Sequence, residues 1–107
     1  MLVEEIKAYV MQHYSDPGLS LDAVADVVKL SSGYLGKLFK NVMNLSFSDY
    51  LTKVRLEKSK DLLVSTCEPA FKICESVGIY NTSYYFTLFK KFYGLTPSQY
   101  REQNVRK

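Results

Sequence analysis

The sequence predicts an all-α chain of about seven helices, and three features of its 107 residues carry that reading. Apolar side chains recur at three- and four-residue spacing throughout, with no β-branched alternation between hairpin turns to compete. Ser, Asn, Pro and Gly punctuate the pattern where helices should start and stop. A stretch of the chain is repeated fifty residues later.

The elements follow in order. A first helix over Val3 to His13 turns Ile6, Val10 and Tyr14 inward and stops before Ser15-Asp16-Pro17-Gly18. Ser20 caps a second helix with a buried stripe of Leu21, Val24, Ala25 and Val28, and Lys29-Leu30 make a short turn. Ser31 caps a third, whose Leu35, Leu38, Phe39 and Val42 form an i, i+3, i+4, i+7 set facing the core. Asn44, which tolerates the left-handed conformation, closes it, and Ser46 caps a long helix reaching Leu63 or Val64. A fifth helix starts at Glu68-Pro69, with proline at its first position, carries Ile73, Cys74 and Val77, and ends at Gly78. Asn81 caps a sixth, with Tyr85, Leu88, Phe89 and Phe92 inward and Gly94 at its end. Thr96-Pro97 opens a short last helix to about Gln103.

Laying residues 31–51 over 81–101 gives seven identities in 21 positions: Tyr34/Tyr84, Leu38/Leu88, Phe39/Phe89, Lys40/Lys90, Leu45/Leu95, Ser48/Ser98 and Tyr50/Tyr100. Upstream the offset becomes 49, pairing Val24 with Ile73, Ala25 with Cys74 and Val28 with Val77, so the second copy has one extra turn residue. A short helix, a tight turn and a longer helix with a polar outer face are therefore written twice. That is the form of a helix-turn-helix, in which the first helix braces and the second presents one face outward. The chain divides accordingly into a first helix-turn-helix subdomain (1–45), a linker helix (46–64) and a second subdomain (65–107), both homeodomain-like.

Charge is unevenly distributed along the chain. The net +3 separates into −4 over residues 1–28, +5 over 29–60 and +2 over 61–107. Basic charge gathered on one region is the footprint of a polyanion partner or, about as often, simply a solvated helix face, so charge alone decides nothing. No apolar stretch approaches the roughly 20 residues of a membrane-spanning helix, and the first residues lack the pattern of a secretion signal, so the expected location is cytoplasmic with no membrane partner. Cys67 and Cys74 stand seven apart and His13 is the only histidine. The reading therefore expects no disulfide framework, metal or cofactor. No nucleophile elbow, paired-carboxylate motif or phosphate loop is present, which leaves an enzyme without support.

A B-DNA major groove about 12 Å wide admits one helix. The outward set of the third helix is Ser32, Gly33, Gly36, Lys37 and Lys40, small residues that let the axis lie deep and lysines suited to guanine acceptors and phosphate. The sixth helix presents Thr82, Ser83, Phe86, Thr87 and Lys90, and its Phe86 and Thr87 are suited to thymine methyl groups.

With these faces in place, residues 3 to 102 resemble the DNA-binding domain of the AraC/XylS family of transcriptional regulators. The resemblance is carried by Leu19 to Ala25, Ser31 to Lys40, Tyr50 to Arg55 with Leu62-Leu63, and above all the run from Val77-Gly78 through Tyr84 to Arg101. Within the family the chain is most similar to the output domains of YesN-like two-component response regulators. The resemblance implies two helix-turn-helix units whose recognition helices enter successive major grooves of double-stranded DNA. Base contacts then fall on Ser32, Gly33, Gly36 and Lys37, and on Thr82, Ser83 and Thr87. The sequence departs from the family at Gly36, where a polar reader is common, at Thr87, which replaces a frequent Arg or Lys, at Phe86, which replaces a small polar residue, and at Asn44, which replaces a glycine.

Other residues take plainer readings. Lys53, Lys58 and Lys60 form the solvated face of the linker helix, and Arg55 serves stem packing or an ion pair. Tyr34, Tyr50, Tyr84 and Tyr100, matched in the repeat, are read as core or helix-packing aromatics. Cys74 fills a small-residue slot in the bracing helix. The expected whole is a monomeric DNA-binding module from a longer chain with its own regulatory domain. The rival reading is a helical interaction module that docks RNA polymerase or a partner regulator.

Overall fold

The computed structural model describes residues 2–104. Among them lie seven helices and no strand: α1 Leu2–His13, α2 Leu21–Val28, α3 Ser32–Met43, α4 Phe47–Ser65, α5 Ala70–Ser76, α6 Thr82–Tyr93 and α7 Pro97–Asn104. None of these helices is long and apolar enough to cross a membrane. Packing divides the chain into two units, Met1–Val54 and Arg55–Lys107, with the boundary inside α4.

The helix starts are fixed by side chains that accept orphan N–H groups. Ser20 accepts from Ala23 at 3.2 Å, Ser31 from Tyr34 at 3.1 Å, Ser46 from Asp49 at 3.1 Å and Asn81 from Tyr84 at 2.9 Å. At α7 the arrangement is a reciprocal capping box, the Thr96 N–H donating to Gln99 Oε1 at 2.9 Å and the Gln99 N–H to Thr96 Oγ1 at 3.1 Å. The fifth helix departs from expectation at both ends. Pro69 is the N-cap rather than the first helical residue, because its ψ of 155° is extended. The helix closes at Ser76, and Gly78 lies beyond it at φ 95°, where the absence of a Cβ matters.

The left-handed positions mark the other ends: Lys29 at φ 64°, Asn44 at φ 61° and Gly94 at φ 79°. Asn44 does what its residue type permits. Lys29 does not, since a lysine Cβ crowds the following carbonyl there. Lys29→Gly is therefore expected to stabilise the protein by about 1 kcal/mol. Thermal unfolding checks this, with the midpoint rising by roughly 4–8 °C for a unit of this size. A midpoint that stays or falls would mean the lysine stem contributes packing that outweighs the strain.

In the first unit the core gathers Val3, Ile6 and Val10 of α1, Leu19, Val24 and Ala25 of α2, Leu35 and Phe39 of α3, and Phe47 and Leu51 of α4. The second buries Leu56, Leu63, Ile73, Cys74, Val77, Ile79, Tyr85, Phe89 and Pro97. The repeat survives in three dimensions. Phe39 meets Tyr50 edge-on at 5.3 Å and 64°, and Phe89 meets Tyr100 at 5.8 Å and 67°. Burial pushes the Tyr85 phenol up to about 12, with neighbouring Ser59 offsetting part of the rise.

Three expectations about burial need correction. Val42 and Phe92, expected in the inward stripes, are 44% and 40% exposed. The bracing helices are short: α2, with eight residues, is about 12 Å long against about 18 Å for the twelve-residue α3, so the last turn runs past its cover. Tyr34 and Tyr84 are likewise not packing aromatics, being 56% and 55% exposed. What the fold uses at these positions is the backbone N–H that meets the N-cap. Lys60 is not a solvated lysine of the α4 face. It pairs with Glu57 at 3.4 Å and lies 4.3 Å from the Tyr93 ring centroid and 5.4 Å from that of Tyr100. The Tyr93 hydroxyl donates to the same Glu57 carboxylate, and burial followed by that hydrogen bond raises its pKa.

Arg101 was not singled out from the sequence and proves to be a central polar contact of the second unit. Its Nε donates to the Leu63 carbonyl at 2.8 Å, and its Nη2 donates to those of Thr66 at 3.2 Å and Glu68 at 2.7 Å. The guanidinium thus takes up carbonyls at the end of α4 and in the connection to α5.

Candidate nucleic-acid interface

Caps and stripes together decide which side of each longer helix faces outward. With Ser31 fixing the start of α3 and Leu35 and Phe39 fully buried, Gly33, Lys37 and Lys40 are left exposed and Ser32 and Gly36 half-buried. With Asn81 fixing α6 and Tyr85 and Phe89 buried, Ser83, Phe86, Thr87 and Lys90 are exposed and Thr82 is half-buried. All ten residues expected to read DNA are accessible, each set on the outer face of one helix within its own unit. Cys74 sits fully buried on the bracing helix with its Sγ 3.8 Å from Thr82 Oγ1, and burial pushes the thiol up. Thr82 therefore also helps seat α6 against α5. Cys67 and Cys74 are both free thiols.

The two glycines of α3 have different physical reasons. A Cβ on Gly33 would meet nothing within 4 Å, so no contact in the fold requires a glycine there. A Cβ on Gly36 would stand 3.3 Å from Leu21 Cδ2, so a side chain there would require the leucine tip to shift by a few tenths of an ångström. Gly36 also lines a cleft of about 360 Å³ with Leu21, Lys40, Ser46 and Phe47.

The second unit has the repeat-equivalent cleft, of about 460 Å³, lined by Phe86, Thr87, Lys90, Lys91 and Thr96. Gly36/Phe86, Lys40/Lys90 and Ser46/Thr96 are the same positions fifty residues apart. Lys91 is an addition to the expected set. Helical spacing from the outward stripe passes over it, and only its adjacency to Lys90 signalled it. The Thr87 hydroxyl donates to the Ser83 carbonyl at 3.1 Å, which commits its proton to the helix.

The geometry on α3 is small residues with two cations, and on α6 an exposed ring, a threonine and two cations. Small or apolar readers flanked by lysines are suited to base edges between two phosphate rows.

A helix-turn-helix domain model matches residues 24–103. The transcriptional regulatory protein YesN of Bacillus subtilis is 35% identical over 105 residues, covering 95% of this chain and 28% of its own length. This chain therefore spans less than a third of that relative. The C-terminal domain of AraT, a response regulator from Geobacillus stearothermophilus, superposes with a TM-score of 0.94 at 37% identity, covering 98% of this chain and 87% of that one. The C-terminal domain of the two-component response regulator yesN from Fusobacterium nucleatum gives 0.88 at 40% identity, covering 92% and 95%.

Proposed function

The chain belongs to the AraC-type helix-turn-helix family, and on that premise we propose that it binds double-stranded DNA sequence-specifically as one module of a longer bacterial transcription regulator. The observation that carries the reading is the duplicated outward face, with α3 and α6 leaving equivalent positions accessible while their opposite sides are buried. In this reading α3 reads bases through Ser32, Gly33, Gly36 and Lys37, with Lys40 on phosphate. α6 reads through Thr82, Ser83, Phe86 and Thr87, with Lys90 on phosphate. The relatives' names extend the proposal to a response-regulator parent whose receiver lies outside this stretch of chain, and to a role in controlling transcription.

Duplex binding measured against salt tests the reading. The logarithm of affinity should fall with the logarithm of salt concentration by about 0.9 for each phosphate contacted. A flat response would favour the docking of RNA polymerase or another protein instead. Lys37→Ala should lose about 1–3 kcal/mol on the preferred site and less on others, relaxing specificity. Equal loss on all sequences would place Lys37 on phosphate.

A further inference from the structure

We propose that the second unit reads thymine through its 5-methyl group, with Phe86 and Thr87 as the specificity-determining residues. The inference rests on the reading of α6 as a DNA-reading helix and adds what it reads. The repeat supplies the comparison. At one and the same position of the motif the first unit has Gly36, held close over Leu21, and the second has Phe86.

Phe86 is 41% exposed and stands on the outward face with Ser83, Thr87 and Lys90, opposite the buried Tyr85 and Phe89. Its ring centroid lies 6.0 Å from that of the buried Tyr85 in a tilted arrangement. A phenyl ring neither donates nor accepts a conventional hydrogen bond, so in the major groove it cannot use the donor and acceptor pattern of the base edges. The apolar feature displayed there is the thymine methyl. Thr87 is one residue along and its proton is already committed to Ser83, which leaves its methyl as a second apolar contact. Lys90 and Lys91, lining the same cleft, supply charge for the adjoining phosphates without naming a base. The first unit has no apolar side chain at the equivalent outward positions, since Gly36 and Lys37 stand there. The two halves of the operator are thus read by different chemistry.

The test uses the 107-residue chain and a duplex recovered by selection from a random pool, resynthesised with deoxyuridine replacing one thymidine at a time. Removing a contacted methyl should weaken binding about fourfold, the effect of one buried methylene-sized group. These sensitive positions should fall in one half-site only. The double variant Phe86→Ser, Thr87→Ser, which keeps the hydroxyl at 87, should bind the thymidine and deoxyuridine duplexes equally, while its salt dependence matches that of the unaltered chain. Indifference of the unaltered chain to every deoxyuridine would overturn the proposal, and so would a methyl effect that persists in the double variant. In both cases steep salt dependence would leave DNA binding itself standing. Failure to recover any bound duplex would instead overturn the DNA-binding reading and this inference with it.

Discussion

Arg101→Ala lowers the unfolding free energy by about 3 kcal/mol, since a hydrogen bond to a charged group contributes about 1.5–3 kcal/mol and the three made here share one donor group. The guanidinium donates to the carbonyls of Leu63, Thr66 and Glu68, which belong to the end of α4 and the segment leading to α5. Alanine leaves those acceptors without their donor and removes the stem that half-buries there. Arg101→Lys should recover little of the loss, because a point charge cannot span three carbonyls as a planar fork does. Chemical unfolding followed by tyrosine fluorescence suits a chain with nine tyrosines and no tryptophan. Its midpoint should shift strongly for both variants, and a shift below about 1 kcal/mol would reduce the contact to an ordinary surface pair.

Inserting five base pairs between the two halves of the preferred operator is expected to weaken binding about 100-fold or more, the scale on which tethered modules gain by engaging together. Helix-turn-helix pairs bind half-sites separated by about 10–10.5 base pairs, one turn of the duplex. Five added pairs turn the second half-site to the opposite side. The connecting α4 has 19 residues and contains neither glycine nor proline, so it lacks the composition of a flexible linker. Gel-shift titration of the two operators measures the ratio directly. Equal affinity would mean that a single unit accounts for binding.

Much of this molecule is visible in the sequence because its signals are local. Ser20, Ser31, Ser46 and Asn81 announce helix starts by short-range chemistry, and all four cap as expected. The outward faces are legible for the same reason. Fixing the cap and two buried residues fixes the rotation of a twelve-residue helix, and all ten expected residues lie where they are accessible. What escaped depends on distant partners. Periodicity cannot say how long the covering helix is, so Val42 and Phe92 were placed inward. Repetition cannot separate buried from exposed aromatics: Tyr34 and Tyr84 recur just as Tyr50 and Tyr100 do, yet it is the latter pair that meets the core phenylalanines. Arg101 acts on carbonyls more than thirty residues away, and Lys60 is held by Tyr93 and Tyr100. No spacing rule reports such contacts.

Leu35, Phe39, Tyr85 and Phe89 hold α3 and α6 in place from beneath, while Gly33, Lys37, Ser83, Phe86 and Lys90 on the opposite side are exposed. Substitutions on such a surface usually change stability by no more than about 0.5 kcal/mol. If these faces read DNA as proposed, a lineage can redirect the protein to new target sequences by altering a few codons on the solvent side of either rod. Paralogues with unrelated targets and nearly the same melting behaviour are the evolutionary product this architecture favours.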